Sequence, residues 1–213
     1  MSFQRESLLL YAVTDRAWTG SQTLYEQVED ALAGGVTCVQ LREKTLDTAA
    51  FLEEAIALKK LCARYGVPLL VNDNVDIALQ SGADGVHVGI EDQPVAEIRR
   101  RTGRDFIIGA TAKTVAQARQ AEAAGADYLG VGAVFPSPTK TNALRITTAQ
   151  LREICASVSI PAVAIGGISL ANLRELSGCG MCGIAVVSAI FAADDIRAAA
   201  ASLRQAAASV AAV

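Results

Sequence analysis

The sequence is short of several things. Basic residues do not outnumber acidic ones: 19 Lys and Arg face 22 Asp and Glu, for a net charge of −3. Such a chain has no general attraction for nucleic acid or for an anionic membrane, so an anionic ligand must be held by a local cluster of positive groups. Long apolar runs are also missing. The longest, from Gly183 to Ala193, contains Ser188 and falls well short of the ~20 residues a membrane span needs. The first residues, Met1-Ser2-Phe3-Gln4-Arg5-Glu6, turn acidic before any apolar stretch and lead to no small-residue cleavage site. These absences predict a soluble, cytoplasmic protein.

Thiol and metal-finger chemistry are equally thin. Five cysteines are an odd number, they are spread through apolar segments, and Cys38 falls inside a predicted strand. That suits reduced core thiols better than a disulfide framework. Cys179-Gly-Met-Cys182 has the spacing of a redox pair or half a zinc site, but no second pair and no nearby histidine completes it. His87 is the only histidine, and inside a predicted strand its ordinary role is that of a hydrogen-bonded core residue.

What the chain does have is a large apolar fraction and a repeat. Hydrophobic residues make up 52% of it and charged ones 19%, enough to bury a large core. Short β-branched runs at Leu8–Thr14, Thr37–Leu41, Pro68–Val71, Gly85–Val88, Phe106–Ala110, Tyr128–Ala133, Ile160–Ile165 and Gly183–Val187 predict eight strands. Between and after them, amphipathic alanine-rich stretches predict helices near 22–33, 47–65, 74–81, 94–102, 114–124, 147–157, 169–177 and 194–209. Ala33-Gly34-Gly35, Ser81-Gly82-Ala83-Asp84 and Ala124-Gly125-Ala126-Asp127 have the form of glycine caps leading into the next strand, and the Gly-Ala-Asp recurrence points to a repeated unit. Eight strands alternating with eight helices predict a parallel sheet closed into a single-domain (β/α)8 TIM barrel over residues 1–213; an open doubly wound sheet is the other solution.

In such a barrel chemistry gathers at the carboxyl ends of the strands. Strand two ends in Gln40-Leu41-Arg42-Glu43-Lys44, and alternation puts Gln40, Arg42 and Lys44 on one face, with Leu41 and Glu43 on the other. If the first face points into the mouth, an amide, a guanidinium and an ammonium await an anion such as a diphosphate. If the strand ends early, they are solvated loop charges. Asp73 follows strand three and Asp92 follows strand four; on adjacent strand ends the two carboxylates suit a shared cation, and magnesium commonly uses one or two. Each acid also stands where it could cap the next helix.

Strand seven leads into Gly166-Gly167 and strand eight into Val187-Ser188, the usual phosphate-binding side of this fold. The long segment Phe135-Pro136-Ser137-Pro138-Thr139-Lys140-Thr141, stiffened by two prolines, suits a loop folding over an anionic substrate.

In order and spacing, Tyr11-Ala-Val-Thr-Asp15, Gln40-Leu-Arg-Glu-Lys44, Val71-Asn-Asp73, Gly85-Val-His-Val-Gly89 with Asp92, Phe135-Pro-Ser-Pro-Thr-Lys140, Gly166-Gly-Ile168 and Val187-Ser-Ala-Ile190 resemble the thiamine phosphate synthase family over about residues 8–205. The resemblance implies a transferase. Gln40, Leu41, Arg42, Glu43, Lys44 and Asn72 would line the site of an aminopyrimidine diphosphate, with Thr111 and Lys140 as further contacts. Asp73 and Asp92 would bind Mg²⁺. Ser137, Pro138, Thr139, Gly167, Val187 and Ser188 would hold a thiazole phosphate. Ionisation at the pyrimidine methylene would expel pyrophosphate, and the thiazole nitrogen would trap the cation, with Arg42 and Lys140 as the catalytic cations. Two stretches depart from the commoner pattern. Ile90 stands where glutamine often follows the glycine, and Gly109-Ala-Thr-Ala-Lys113 replaces a segment that usually carries serine and histidine. Thr111 keeps a hydroxyl and inherits a role; Lys113 inherits none.

The implied partners are small molecules only, with no nucleic acid or membrane, and a homo-oligomer is compatible with the sequence. A thiazole phosphate tautomerase-like enzyme and a non-catalytic phosphate-binding barrel are the alternatives. Neither needs the basic set on strand two together with the acid pair. Schiff-base chemistry would need a lysine within a strand, and no predicted strand has one in its interior.

Overall fold

Each strand is short and buried on both faces, as the unbroken apolar runs require of a parallel sheet covered by helices. The strands are β1 (Leu10–Val13), β2 (Cys38–Leu41), β3 (Leu69–Asn72), β4 (Gly85–Val88), β5 (Ile107–Ala112), β6 (Tyr128–Gly132), β7 (Ala162–Ile165) and β8 (Gly183–Val186). The computed structural model describes residues 4–137 and 144–212. Each strand pairs in parallel with the next, and β8 pairs back onto β1, with Tyr11 opposite Ala185. That last pairing closes the barrel and rules out the open sheet.

The helices are α1 (Leu24–Ala33), α2 (Thr48–Arg64), α3 (Val75–Ser81), α4 (Val95–Thr102), α5 (Val115–Ala123), α6 (Thr148–Ala156), α7 (Ser188–Phe191) and α8 (Ile196–Ala208). Their starts are chemically marked. Thr23 with Glu26 and Thr147 with Gln150 form capping boxes, while Asp47, Asn74, Thr114 and Asp195 each accept a backbone N–H of the first turn.

Besides α7, a short helix the sequence did not predict, two elements differ from expectation. The helix predicted over 169–177 is reduced to a single 3-10 turn at Leu173–Leu176. Asn172 diverts its backbone: its side chain accepts the Ser169 N–H and donates to the Gly167 carbonyl, and Gly178 follows at φ 72°. Strand β5 runs two residues beyond the predicted Ala110, because β6 pairs with it as far as Ala112 opposite Val131.

Alternation divides the apolar residues into two cores. Val39, Leu41, Val71, Val86 and Leu129 face the helices. Tyr11, Val13, Cys38, Leu70, Ile107, Tyr128 and Val163 fill the barrel itself. The interior is crowded enough that glycine is needed: a Cβ at Gly109 would lie 2.1 Å from Cζ of Tyr128, and one at Gly130 would lie 2.9 Å from Cε1 of His87.

At the amino ends of the strands the repeated Gly-Ala-Asp has one job in both places. Asp84 donates its N–H to the Leu69 carbonyl and accepts the Leu69 N–H with its carboxylate. Asp127 does the same with Ile108. A cation from the helix before each strand pair completes the clasp: Lys59 of α2 on Asp84 at 2.6 Å, and Arg99 of α4 on Asp127 at 2.6 Å.

Candidate active site

The strand-two charges are not loose. Thr14 extends the β1–β2 pairing past the end of β1: its N–H donates to the Gln40 carbonyl, and its hydroxyl accepts the Arg42 N–H at 2.9 Å. The Arg42 guanidinium then donates to Asp15 at 2.8 Å. Asp15 stands in the first quoted motif without a role; the structure makes it the partner that orients Arg42. Lys44 reaches the other way and donates from Nζ to Asp73 at 2.8 Å.

Leu41 and Glu43 lie on the opposite face, as alternation requires. Leu41 is fully buried against the helix layer. The Glu43 carboxylate is nearly sealed from water and accepts the N–H groups of Lys44, Thr45 and Leu46, the Thr45 hydroxyl and the Arg16 guanidinium. Burial pushes its pKa up, but the Thr45 N–H and the Arg16 guanidinium lead a set of donors that outweighs it and holds the carboxyl at about 2. This carboxylate shapes the turn that delivers Lys44.

Neither acid of the proposed metal pair caps a helix. Asn74 caps α3, and the residue before α4 is Pro94, which has no side-chain cap bond. Asp73 sits at φ 61°, in the left-handed region that aspartate tolerates better than most residues. Its N–H donates to the His87 carbonyl, and its carboxylate accepts from Lys44 and from Asn72 Nδ2. Asp92 folds back to accept the Gly89 N–H at 2.7 Å; a Cβ at Gly89 would lie 2.8 Å from Oδ2 and would push the carboxylate aside. Burial and then the neighbouring Asp73 carboxyl raise the pKa of Asp92. A cavity of about 490 Å³ opens here, lined among others by Lys44, Asn72, Asp73, Asp76 and Gln93. Among the described residues no group of three or more His, Cys, Asp and Glu could hold a metal, so the acid pair would need oxygens from substrate and water to complete a shell.

Deeper in the mouth lies a set of polar groups the sequence did not bring together. Gln40 donates from Nε2 to the Tyr11 hydroxyl at 2.5 Å, and the Tyr11 and Tyr128 hydroxyls share a hydrogen bond at 2.8 Å. Tyr128 meets His87 Nδ1 at 2.8 Å, and His87 Nε2 meets Thr111 Oγ1 at 3.1 Å. His87 is thus the hydrogen-bonded core residue expected. Burial, opposed by the Asp92 carboxylate, lowers its pKa to about 4, so the ring is neutral at pH 7.

On the far side, Gly166 and Gly167 both have positive φ, at 103° and 63°. Gly167 lets the segment after β6 pass: a Cβ there would lie 2.1 Å from the Pro136 carbonyl oxygen. Val187 and Ser188 stand at the start of α7. Ser137 is the last described residue before the gap, and Pro138, Thr139 and Lys140 lie outside the described residues.

The comparisons with known proteins bear on this geometry. The family model described as thiamine monophosphate synthase matches residues 10–190. The chain belongs to that family. A thiamine-phosphate synthase of Ruminiclostridium cellulolyticum is 49% identical over 194 residues, covering 91% of this chain and 92% of the relative. Another, from Clostridium acetobutylicum, is 45% identical over 188 residues, covering 88% and 89%. The structure of thiamine phosphate pyrophosphorylase from Pyrococcus furiosus superposes with a TM-score of 0.90 at 41% identity, over 97% of this chain and 98% of that one. As a member of the thiamine monophosphate synthase family this protein is an enzyme, a transferase of thiamine biosynthesis. Among its described residues no helix is long and apolar enough to cross a membrane.

Proposed function

We propose that this enzyme joins an aminopyrimidine methyl diphosphate to a thiazole phosphate, releasing pyrophosphate and forming thiamine phosphate, with Mg²⁺ at Asp73 and Asp92 and in the cytoplasm. The observation that carries this reading is the meeting of Lys44 with the Asp73–Asp92 pair over adjacent strand ends, with the Arg42 guanidinium held by Asp15 two residues before Lys44. A tautomerase-like or binding-only barrel would leave that combination without a purpose.

The donor set fits a hard divalent cation. Two carboxylates lie close together, burial and then the Asp73 carboxyl raise the pKa of Asp92, and an ammonium already balances one of the two acids. When bound, magnesium supplies charge neutralisation on the departing diphosphate. Arg42, braced by Asp15, offers a guanidinium to phosphate oxygens, while Lys44 and Asn72 both donate to Asp73. Gln40 and Thr111 face the pyrimidine ring from β2 and β5.

The C–O bond to the methylene breaks with its electron pair leaving on the diphosphate, and the thiazole nitrogen forms the new C–N bond. The protein's part is positioning and charge stabilisation. Lys140 is the second catalytic cation of this reading, and Ser137, Pro138, Thr139, Gly167, Val187 and Ser188 form the thiazole phosphate side.

Pyrophosphate release from the two substrates, with and without Mg²⁺, tests the proposal. Release that depends on Mg²⁺ and matches thiamine phosphate formed is the expected result. Folded protein that binds thiazole phosphate yet releases nothing would overturn it.

A further inference from the structure

Two ion pairs carry the register of β1 on β2 beyond the ends of both strands. Within the sheet Val13 stands opposite Gln40. Past Thr14, in the same register, Asp15 meets Arg42 at 2.8 Å and Arg16 meets Glu43 at 2.8 Å. The acid comes first in one segment and second in the other, so the charges match in both pairs. Arg42 lies on the face of Gln40 and Lys44, and Glu43 on the face of Leu41. The reaction proposed above uses Arg42 and leaves Arg16 without a part.

Arg16 is tied in two directions. Its Nε donates to Glu43 Oε2, while Nη2 reaches both oxygens of Glu54, on α2, at 2.8 and 2.7 Å. Glu43 divides its own oxygens. Oε2 takes Arg16, and Oε1 takes the N–H groups of Lys44 and Thr45, both at 2.7 Å, and that of Leu46 at 3.3 Å. A carboxylate is planar and rigid, so fixing one oxygen fixes the other. An exposed ion pair would hold little, but the Glu43 side chain is only 2% exposed. A planar guanidinium shared by two acids also loses little freedom by staying in place. Through Glu54, Arg16 and Glu43, helix α2 thus reaches the backbone of Lys44.

We infer that Arg16 is a positioning residue of the reaction, which sets the backbone of Lys44 opposite Asp73 by locking the Glu43 carboxylate, with Glu54 as its anchor on α2. Without Arg16, Oε2 would turn to water and carry Oε1 out of the turn. Lys44 would then lose the setting from which its ammonium reaches Asp73 and the incoming diphosphate.

This inference rests on the pyrimidine diphosphate reading. Its test uses Arg16→Met, which keeps the length of the side chain, and Glu54→Ala, which removes the anchor and guards against the first variant failing to fold. Reductive methylation followed by mass spectrometry gives the labelling rate of Lys44, with Lys60, an exposed lysine of α2, as internal reference. In both variants Lys44 should label about threefold faster or more relative to Lys60, because its bond to Asp73 is broken more of the time. Steady-state kinetics supply the second readout. Arg16→Met should raise the KM for the diphosphate about tenfold and that for the thiazole phosphate by less than about twofold. In a Lys44→Ala background the same substitution should add less than about twofold to the KM for the diphosphate, since its effect passes through Lys44. Unchanged labelling in both variants, or an equal rise in KM with and without Lys44, would overturn the inference. Wild-type protein that releases no pyrophosphate would instead overturn the reading beneath it, while the labelling still reports whether Arg16 holds Lys44.

Discussion

The Lys44 ammonium lies 2.8 Å from the Asp73 carboxylate, so an acid proposed to hold a divalent cation already holds a monovalent one. Both side chains are substantially exposed, at 52% and 30%, which leaves the pair free to part when a better partner arrives. Lys44 would then turn to the incoming diphosphate as magnesium takes its place.

Removing Lys44 should therefore have opposite effects on the two ligands. Lys44→Ala is expected to bind Mg²⁺ more tightly in the absence of substrate, while the KM for the diphosphate rises about tenfold or more. Calorimetry with the metal alone and steady-state kinetics check the two halves. Weaker metal binding in the variant would show that the pair does not compete.

Asp73 combines a charge with a left-handed backbone, and its substitutions separate the two. Asp73→Asn keeps a residue that tolerates φ near 61° but removes the charge. It should keep the wild-type unfolding midpoint and lose about a hundredfold or more in kcat. Asp73→Ala should lose as much activity and in addition about 1 kcal/mol of stability. Chemical denaturation alongside pyrophosphate release distinguishes them, and full turnover in Asp73→Asn would refute the metal role.

Glu43 gives a pH signature. Its folded-state pKa of about 2 lies below the ordinary 4.5, so its carboxylate stabilises the fold fully above pH 4.5. That contribution is lost as the pH falls from there toward 2. Glu43→Gln should cost about 2 kcal/mol at neutral pH, and its stability should converge with the wild-type protein in acid. Denaturation midpoints across that range measure the gap, and a gap independent of pH would contradict the assignment.

Gly109 is expected to tolerate no side chain. Gly109→Ala drives a methyl into the Tyr128 ring and should destabilise the protein by about 1–3 kcal/mol. In a Tyr128→Ala background the same change should cost far less, because its obstacle is gone. Equal costs in both backgrounds would mean that the clash lies elsewhere.

Much of the barrel was legible because each strand is a short apolar run bounded by glycine or polar residues, and because Gly-Ala-Asp recurs. Alternation set Gln40 and Arg42 apart from Leu41 and Glu43, but left open whether the first face points into the mouth or the strand ends early. The helix predicted over 169–177 was misjudged because the local hydrogen bonds of Asn172 compete with it, an effect hidden from periodicity. The line behind Gln40 was missed for a different reason. Tyr11 and Tyr128 look like ordinary strand aromatics, and their partners come from β1, β2, β4 and β6, far apart in the chain. A signal was present all the same. Gly109 and Gly130 leave gaps on inward positions of β5 and β6, and gaps of that kind inside a packed barrel imply large neighbours.

The two aspartate clasps sit at the amino ends of the strands, while the acids and cations of the proposed chemistry sit at the carboxyl ends. This separation gives an engineer a free hand. Heat resistance can be sought around Asp84 with Lys59 and Asp127 with Arg99, by tightening the foundations, with the working end of the molecule left untouched.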